Sequence, residues 1–259
     1  MALAPRLVLR IAYLGGGFAG WQRQAGPRTV QGDLEEALGR LYRAPVAVRG
    51  AGRTDAGVHA AGQVAHFDPP FAIASNGVRS ALNGLLRDDV RVLAVYPAPR
   101  GFDARRSARA KRYRYRLAWG DPLDPWEALR CWQLPSRPDL ARMRRALAGI
   151  VGRRDFAAFA SSGHSGTGER GTERTISSAR LIVRGRHAAV VLEGDGFLRG
   201  MARRIVGALL EVGRGAQPPA WFARLLRDPR TGPPAPTAPA HGLTLERVFY
   251  GGPPATGDR

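Results

Sequence analysis

The chain of 259 residues carries 40 basic against 21 acidic side chains, a formal charge of +19, and Lys111 is its one lysine, so the excess is almost wholly arginine. That imbalance points to a polyanionic partner, and the planar guanidinium fork suits phosphates and base faces better than an ammonium does. A single cysteine, Cys131, excludes an intramolecular disulfide and a cysteine-rich zinc site.

The N-terminal stretch Met1 to Leu14 is apolar but broken by Arg6 and Arg10. No run approaches the ~18 apolar residues that span a bilayer, and there is neither a basic amphipathic helix nor a lipidation signal. The chain is therefore expected to be soluble, unexported and cytoplasmic, with no membrane partner.

Leu7 to Tyr13 alternates as a strand does, and Val30 to Tyr42 has helical spacing through Leu34, Ala37, Leu38 and Leu41. Val46 to Val48 and Gln63 to Phe67 read as strands, Ser75 as the cap of a helix through Leu86, and Val90 to Val95 as a returning strand. This β-α-β-β-α-β succession is the ferredoxin-like order. It starts again at Tyr113-Arg114-Tyr115-Arg116-Leu117, followed by an irregular, proline-bearing excursion. Ser136-Arg137-Pro138-Asp139 is a capping pattern opening an amphipathic helix through Leu140, Met143, Leu147 and Ile150. Ile176 to Val183 and His187 to Leu192 form a hairpin around Arg184-Gly185-Arg186, helices follow over Phe197 to Val212 and Trp221 to Leu226, and Leu243 to Phe249 closes as a strand. The expected fold is α+β, with ferredoxin-like units over residues 1–106 and 107–259 whose sheets join around a central cleft. Ser161 to Gly171 and Gly232 to Pro236 read as linkers or mobile loops.

Gly52-Arg53-Thr54-Asp55-Ala56-Gly57-Val58-His59 places one carboxylate between glycines on a turn joining two strands, where catalytic groups concentrate. A local turn with Asp55 bonding its own backbone and Arg53 as an ion-pair partner is the competing account. Gly15 to Gly20 matches G-x-G-x-x-G, but no helix opens on its last glycine and Arg40 to Arg49 offers no ribose-binding acid, so a dinucleotide site is rejected. Asp55, His59, His66 and Asp68 lack the helical spacing of a hydrolytic zinc site. His164, among serines, has no Gly-x-Ser-x-Gly partner that would make it a base. What remains is a single carboxylate acting on nucleic acid.

Gly52 to Ala60 resembles the active-site motif of the tRNA pseudouridine synthase A family. Further segments match that family in order: Gly20 to Gln24, Gly62 to Phe67, Phe102 to Arg105, Arg112 to Tyr115, Met201 to Gly207, Trp221 to Leu226 and Pro239 to Leu245. The resemblance implies isomerisation of uridine to pseudouridine in the tRNA anticodon stem-loop, at positions 38, 39 and 40, without cofactor or metal, by a homodimer. It implies that Asp55 is the catalytic carboxylate and that Arg53 occupies the stem position vacated by a flipped base. Tyr113 would stack on that base, Arg203 pair with Asp55, and Leu243 pack against the target. Arg199, Arg203 and Arg204 sit in the first half of a predicted helix, where the macrodipole disfavours cations unless an anion faces them. A catalytically silent RNA-binding or tRNA-folding module, and a metal-dependent nuclease using Asp55 and His59, are the alternatives.

Overall fold

A computed structural model of the chain describes residues 4–161, 171–228 and 235–251. The first strand, β1 (Leu7–Tyr13), buries Leu7, Val8, Leu9, Ile11 and Tyr13. Helix α1 (Val30–Tyr42) buries Val30, Leu34, Ala37, Leu38 and Tyr42, and the Thr29 hydroxyl caps it by accepting from the Gly32 amide. Two residues form β2 (Arg49–Gly50), and β3 (His59–Phe67), α2 (Ser75–Leu85) and β4 (Val90–Pro97) follow.

The predicted strand at Val46 to Val48 is not formed. Glu35 on α1 accepts the Val48 amide at 3.1 Å and Gln31 donates to the Val48 carbonyl at 3.1 Å, so side chains take the backbone groups that a ladder needs. Ser75 also differs from expectation. It is the first helical residue, after Ala74, and no side chain caps that end.

The second half runs β5 (Ala108–Trp119), a short α3 (Pro125–Ala128), β6 (Trp132–Leu134), α4 (Leu140–Ala148) and β7 (Gly152–Asp155). It continues through β8 (Glu173–Arg184), β9 (His187–Gly194), α5 (Met201–Gly213), α6 (Pro219–Arg227) and β10 (Leu243–Tyr250). The capping pattern before α4 works through Asp139, whose carboxylate accepts from Ala141 and Arg142, rather than through Ser136. Helix α5 starts at Met201 and not near Phe197, because Gly200 before it has φ +75°, a left-handed conformation that ends any helical path from upstream.

Among the described residues ten strands make one mixed sheet in the order β4-β1-β3-β10-β5-β9-β8-β7, with β2 beside β3 and β6 beside β5. Strand β3 is shared along its length. Its C-terminal end pairs with β2, through Arg49 and His66, and its N-terminal end pairs with β10 in parallel, through Thr244 with His59 and Leu245 with Ala60. Gly62 marks where β10 crosses, since a Cβ there would lie 2.4 Å from the Glu246 carbonyl oxygen. The loop from β2 into β3 therefore opens beside β10 and β5. Among the described residues no helix is long and apolar enough to cross a membrane. His164 and most of the two predicted loops lie outside the described residues.

Candidate active site

The loop between β2 and β3 is held from below by buried polar groups. Gln63, fully buried on β3, donates to the Gly52 carbonyl at 3.0 Å, and the buried Tyr13 and Thr54 hydroxyls share a 2.8 Å hydrogen bond. Neighbouring turns pin its other side. Trp21 donates its amide to the Thr54 carbonyl at 3.1 Å, and Gly20 sits so close that a Cβ there would lie 2.8 Å from the same oxygen. At Gly57 the chain turns with φ +78°, and the Val58 amide closes the turn on the Asp55 carbonyl at 3.1 Å. His59 joins this loop to two others: Nδ1 accepts from the Gly15 amide at 3.0 Å and Nε2 lies 3.0 Å from the His241 carbonyl.

On this base the Asp55 side chain is 27% exposed and meets two arginines. Arg203 Nη1 is 3.4 Å from one carboxylate oxygen and Arg199 Nε is 3.8 Å from the other. Arg203 is the more buried, and its Nε donates to the Ala238 carbonyl at 2.8 Å while its own carbonyl accepts the Ala238 amide at 3.2 Å. A guanidinium in the first turn of α5 thus faces a carboxylate, which offsets its unfavourable interaction with the helix dipole. Arg204 turns instead to the Ala235 carbonyl at 2.9 Å.

Tyr113 on β5 is 8% exposed, and Phe197 packs edge-on against its ring with 4.8 Å between centroids. Burial, with the nearby Tyr13 and the Asp55 charge, raises its pKa, so the phenol stays protonated at neutral pH. Leu243 opens β10 and is buried opposite Tyr115, while Leu245 lies opposite Tyr113. The Tyr115 hydroxyl donates to the Pro239 carbonyl at 2.8 Å, and Gly242 leaves no room for a Cβ, which would meet that ring at 2.5 Å. The segment leading to Leu243 is fixed by these contacts.

Arg53 is exposed and does not pair with Asp55. Its Nε donates to Gln22 Oε1 at 3.1 Å, Gln22 donates to Gln31 at 2.7 Å, and Gln31 donates to Glu35 at 2.9 Å. The structure therefore brings Asp55 together with Arg203 and sets Tyr113 close enough to feel the Asp55 charge. Arg53 is carried on the rim of the same loop, and Leu243 is placed in the packed layer with Tyr115. His66 and Asp68 are engaged elsewhere, with the Ala104 amide and Arg6 respectively.

A family profile described as tRNA pseudouridine synthase matches residues 146–251. The chain is 46% identical to tRNA pseudouridine synthase A of Frankia casuarinae over 95% of this chain and 89% of that protein. It is 41% identical to the protein of that name from Myxococcus xanthus, over 97% and 94% of the two chains. With the Geobacillus kaustophilus protein of the same name it shares 41% identity, over 96% and 95%.

The chain belongs to the tRNA pseudouridine synthase A family. It is accordingly an isomerase, and the chain carrying the Asp55 loop aligns over 95% and 97% of its length with two proteins of that name.

Three elements of the site in this family member were not legible beforehand: Gln22 as the partner of Arg53, Phe197 against Tyr113, and the Tyr13–Thr54–Gln63 group under the loop. Only the last left a local sign, a glutamine inside the apolar alternation of β3.

The two buried histidines of β3 make stability depend on pH. Burial lowers both pKa values, aided by the charges of His241 and Arg130 at His59 and of Arg6 at His66. Each binds its proton more weakly in the folded chain than unfolded, so its stabilising contribution is complete above about pH 6.5 and is lost as pH falls through the folded-state value. The thermal midpoint is expected to be level from about pH 7 to 7.5 and to fall below about 6.5. A calorimetric midpoint unchanged down to pH 5 would contradict this.

Proposed function

We propose that this chain converts uridine to pseudouridine in the anticodon stem-loop of tRNA, at positions 38, 39 and 40, with Asp55 as the catalytic carboxylate and no metal or cofactor. The observation that carries the reading is the 3.4 Å contact between Asp55 and Arg203, beside a buried Tyr113, in a chain of this family. The base N1 to ribose C1′ bond breaks, the uracil turns, C5 bonds to C1′, and the C5 proton is lost as N1 gains one. Electrons balance within the nucleotide, so neither oxidant nor reductant is required.

Asp55 acts as nucleophile or base, on the sugar, on the base, or on a ribose proton. A paired uridine has to leave its stack first, at a cost of a few kcal/mol. Arg53, exposed on the rim and braced by Gln22, occupies the vacated position, and a planar cation suits that role because it can stack and also bond phosphate. Tyr113 stacks on the extruded base and, being protonated, serves as a neutral hydrogen-bond donor rather than as a phenolate base. Leu243 supplies apolar packing on the target side. The strand succession further supports two ferredoxin-like units, residues 1–106 and 107–259, the family resemblance implies a cytoplasmic homodimer, and the charge of +19 supports a polyanionic substrate.

Tritium release from an anticodon stem-loop transcript carrying 5-tritiated uridine tests the reading. Label is expected to appear in solvent in step with pseudouridine formation, undiminished by EDTA. Binding of tRNA without release would favour a silent RNA-binding module, and chelator-sensitive strand cleavage would indicate a nuclease.

A further inference from the structure

Lys111, the chain's one lysine, lies on β5 two residues before Tyr113 and therefore on the same face of that strand. Its Nζ is packed over the start of the Asp55 loop, so that a Cβ on Gly52 would lie only 2.8 Å from it. The charged groups that act on it are Arg105, just before β5, and Arg174 on β8. Both are cations, and among the described residues no carboxylate pairs with the ammonium. Arg174 is held in place by donating to the Gly171 carbonyl at 3.0 Å, and Arg105 is exposed.

Desolvation, with Arg105 and Arg174 adding repulsion, pulls the Lys111 pKa down to about 8. An ammonium removed from water with no carboxylate partner is unfavourable in the free protein, and an anion beside it relieves that cost. The approach of Nζ to Gly52 places that anion three residues along the chain from Asp55.

We propose that Lys111, packed at the start of the Asp55 loop, binds a backbone phosphodiester of the RNA next to the extruded nucleotide. The inference rests on the reading of the cleft as an RNA site. The phosphate would anchor the strand beside the loop while Arg53 fills the stem, which fixes the register of the nucleotide presented to Asp55.

The test compares tRNA binding by the full-length protein, by Lys111→Met, which keeps length and apolar stem but removes the charge, and by Lys111→Arg. Lys111→Met is expected to raise the Kd about tenfold and to reduce the slope of log K against log salt by about one, whereas Lys111→Arg keeps both near wild type. Equal affinity and slope in wild type and Lys111→Met overturn the proposal while leaving the cleft assignment intact, and a wild-type protein that binds no tRNA overturns the assignment itself.

If Lys111→Met fails to fold, acylation of the native protein gives the same reading, because Lys111 is its one side-chain amine. Wild type shown by mass spectrometry to be acylated at Lys111 is expected to lose tRNA affinity relative to equally treated Lys111→Arg, and equal affinities then overturn the proposal.

Discussion

Asp55→Ala is expected to lower kcat by at least about four orders of magnitude while tRNA affinity stays within severalfold of wild type. Both halves of that expectation follow from geometry. The carboxylate is partly exposed, at 27%, on a turn braced by Trp21, Gln63 and Gly57, and its side-chain ion pairs are with Arg203 and Arg199. No bracing hydrogen bond uses the carboxylate, so its removal should leave the loop in place. It also deletes a negative charge from a surface that binds a polyanion, so long-range attraction to RNA is not weakened. Single-turnover measurement of pseudouridine formation, with binding measured in parallel, checks both halves. Turnover near wild type would remove Asp55 from the chemistry, and lost affinity would make it a docking residue instead.

Arg203→Met is expected to cost about 100-fold in kcat, or about 2.7 kcal/mol of transition-state stabilisation. Arg203 is the more buried of the two cations on Asp55 and is fixed by its bond to the Ala238 carbonyl, so on the proposed chemistry it would hold the carboxylate oriented without reorganising during reaction. Arg199, 3.8 Å away with a side chain 69% exposed, is a solvent-screened partner, and Arg199→Met should cost much less. Arg203→Lys keeps the charge but loses the forked grip on both Asp55 and Ala238, so it should restore only part of the rate. Steady-state kinetics on the three variants, with thermal midpoints to separate unfolding from catalysis, decides the matter. Equal losses for Arg199→Met and Arg203→Met would indicate a general field effect rather than an oriented pair.

Much of this architecture is readable from local pattern. Val30 to Tyr42 coincides with α1 because its apolar spacing is helical throughout, and Leu7 to Tyr13 coincides with β1 although Leu7, Val8 and Leu9 are buried in succession. Where local pattern misled, a distant partner or a backbone constraint had intervened. Val46 to Val48 has strand composition, yet Gln31 and Glu35 claim its backbone from the neighbouring helix. The stretch before Met201 is apolar enough for a helix, yet Gly200 turns left-handed. In the site, the acid between glycines stood out because its turn is local. Its pairing with Arg203 spans 148 positions and left only the hint of a cation at a helix N-terminus. The Arg53–Gln22 and Tyr113–Phe197 contacts left none, since each depends on how separate loops converge.

The parallel junction of β3 with β10, two residue pairs long, has a mechanical consequence. Asp55 is borne on the loop that leads into the strand at one side of that seam and Arg203 on a helix that precedes the strand at the other. A rotation of the two sheet halves about the seam would change the length of this ion pair. On the proposed chemistry the same contact would register how far the two sheet halves are splayed, and an RNA that wedged them apart would separate Asp55 from Arg203.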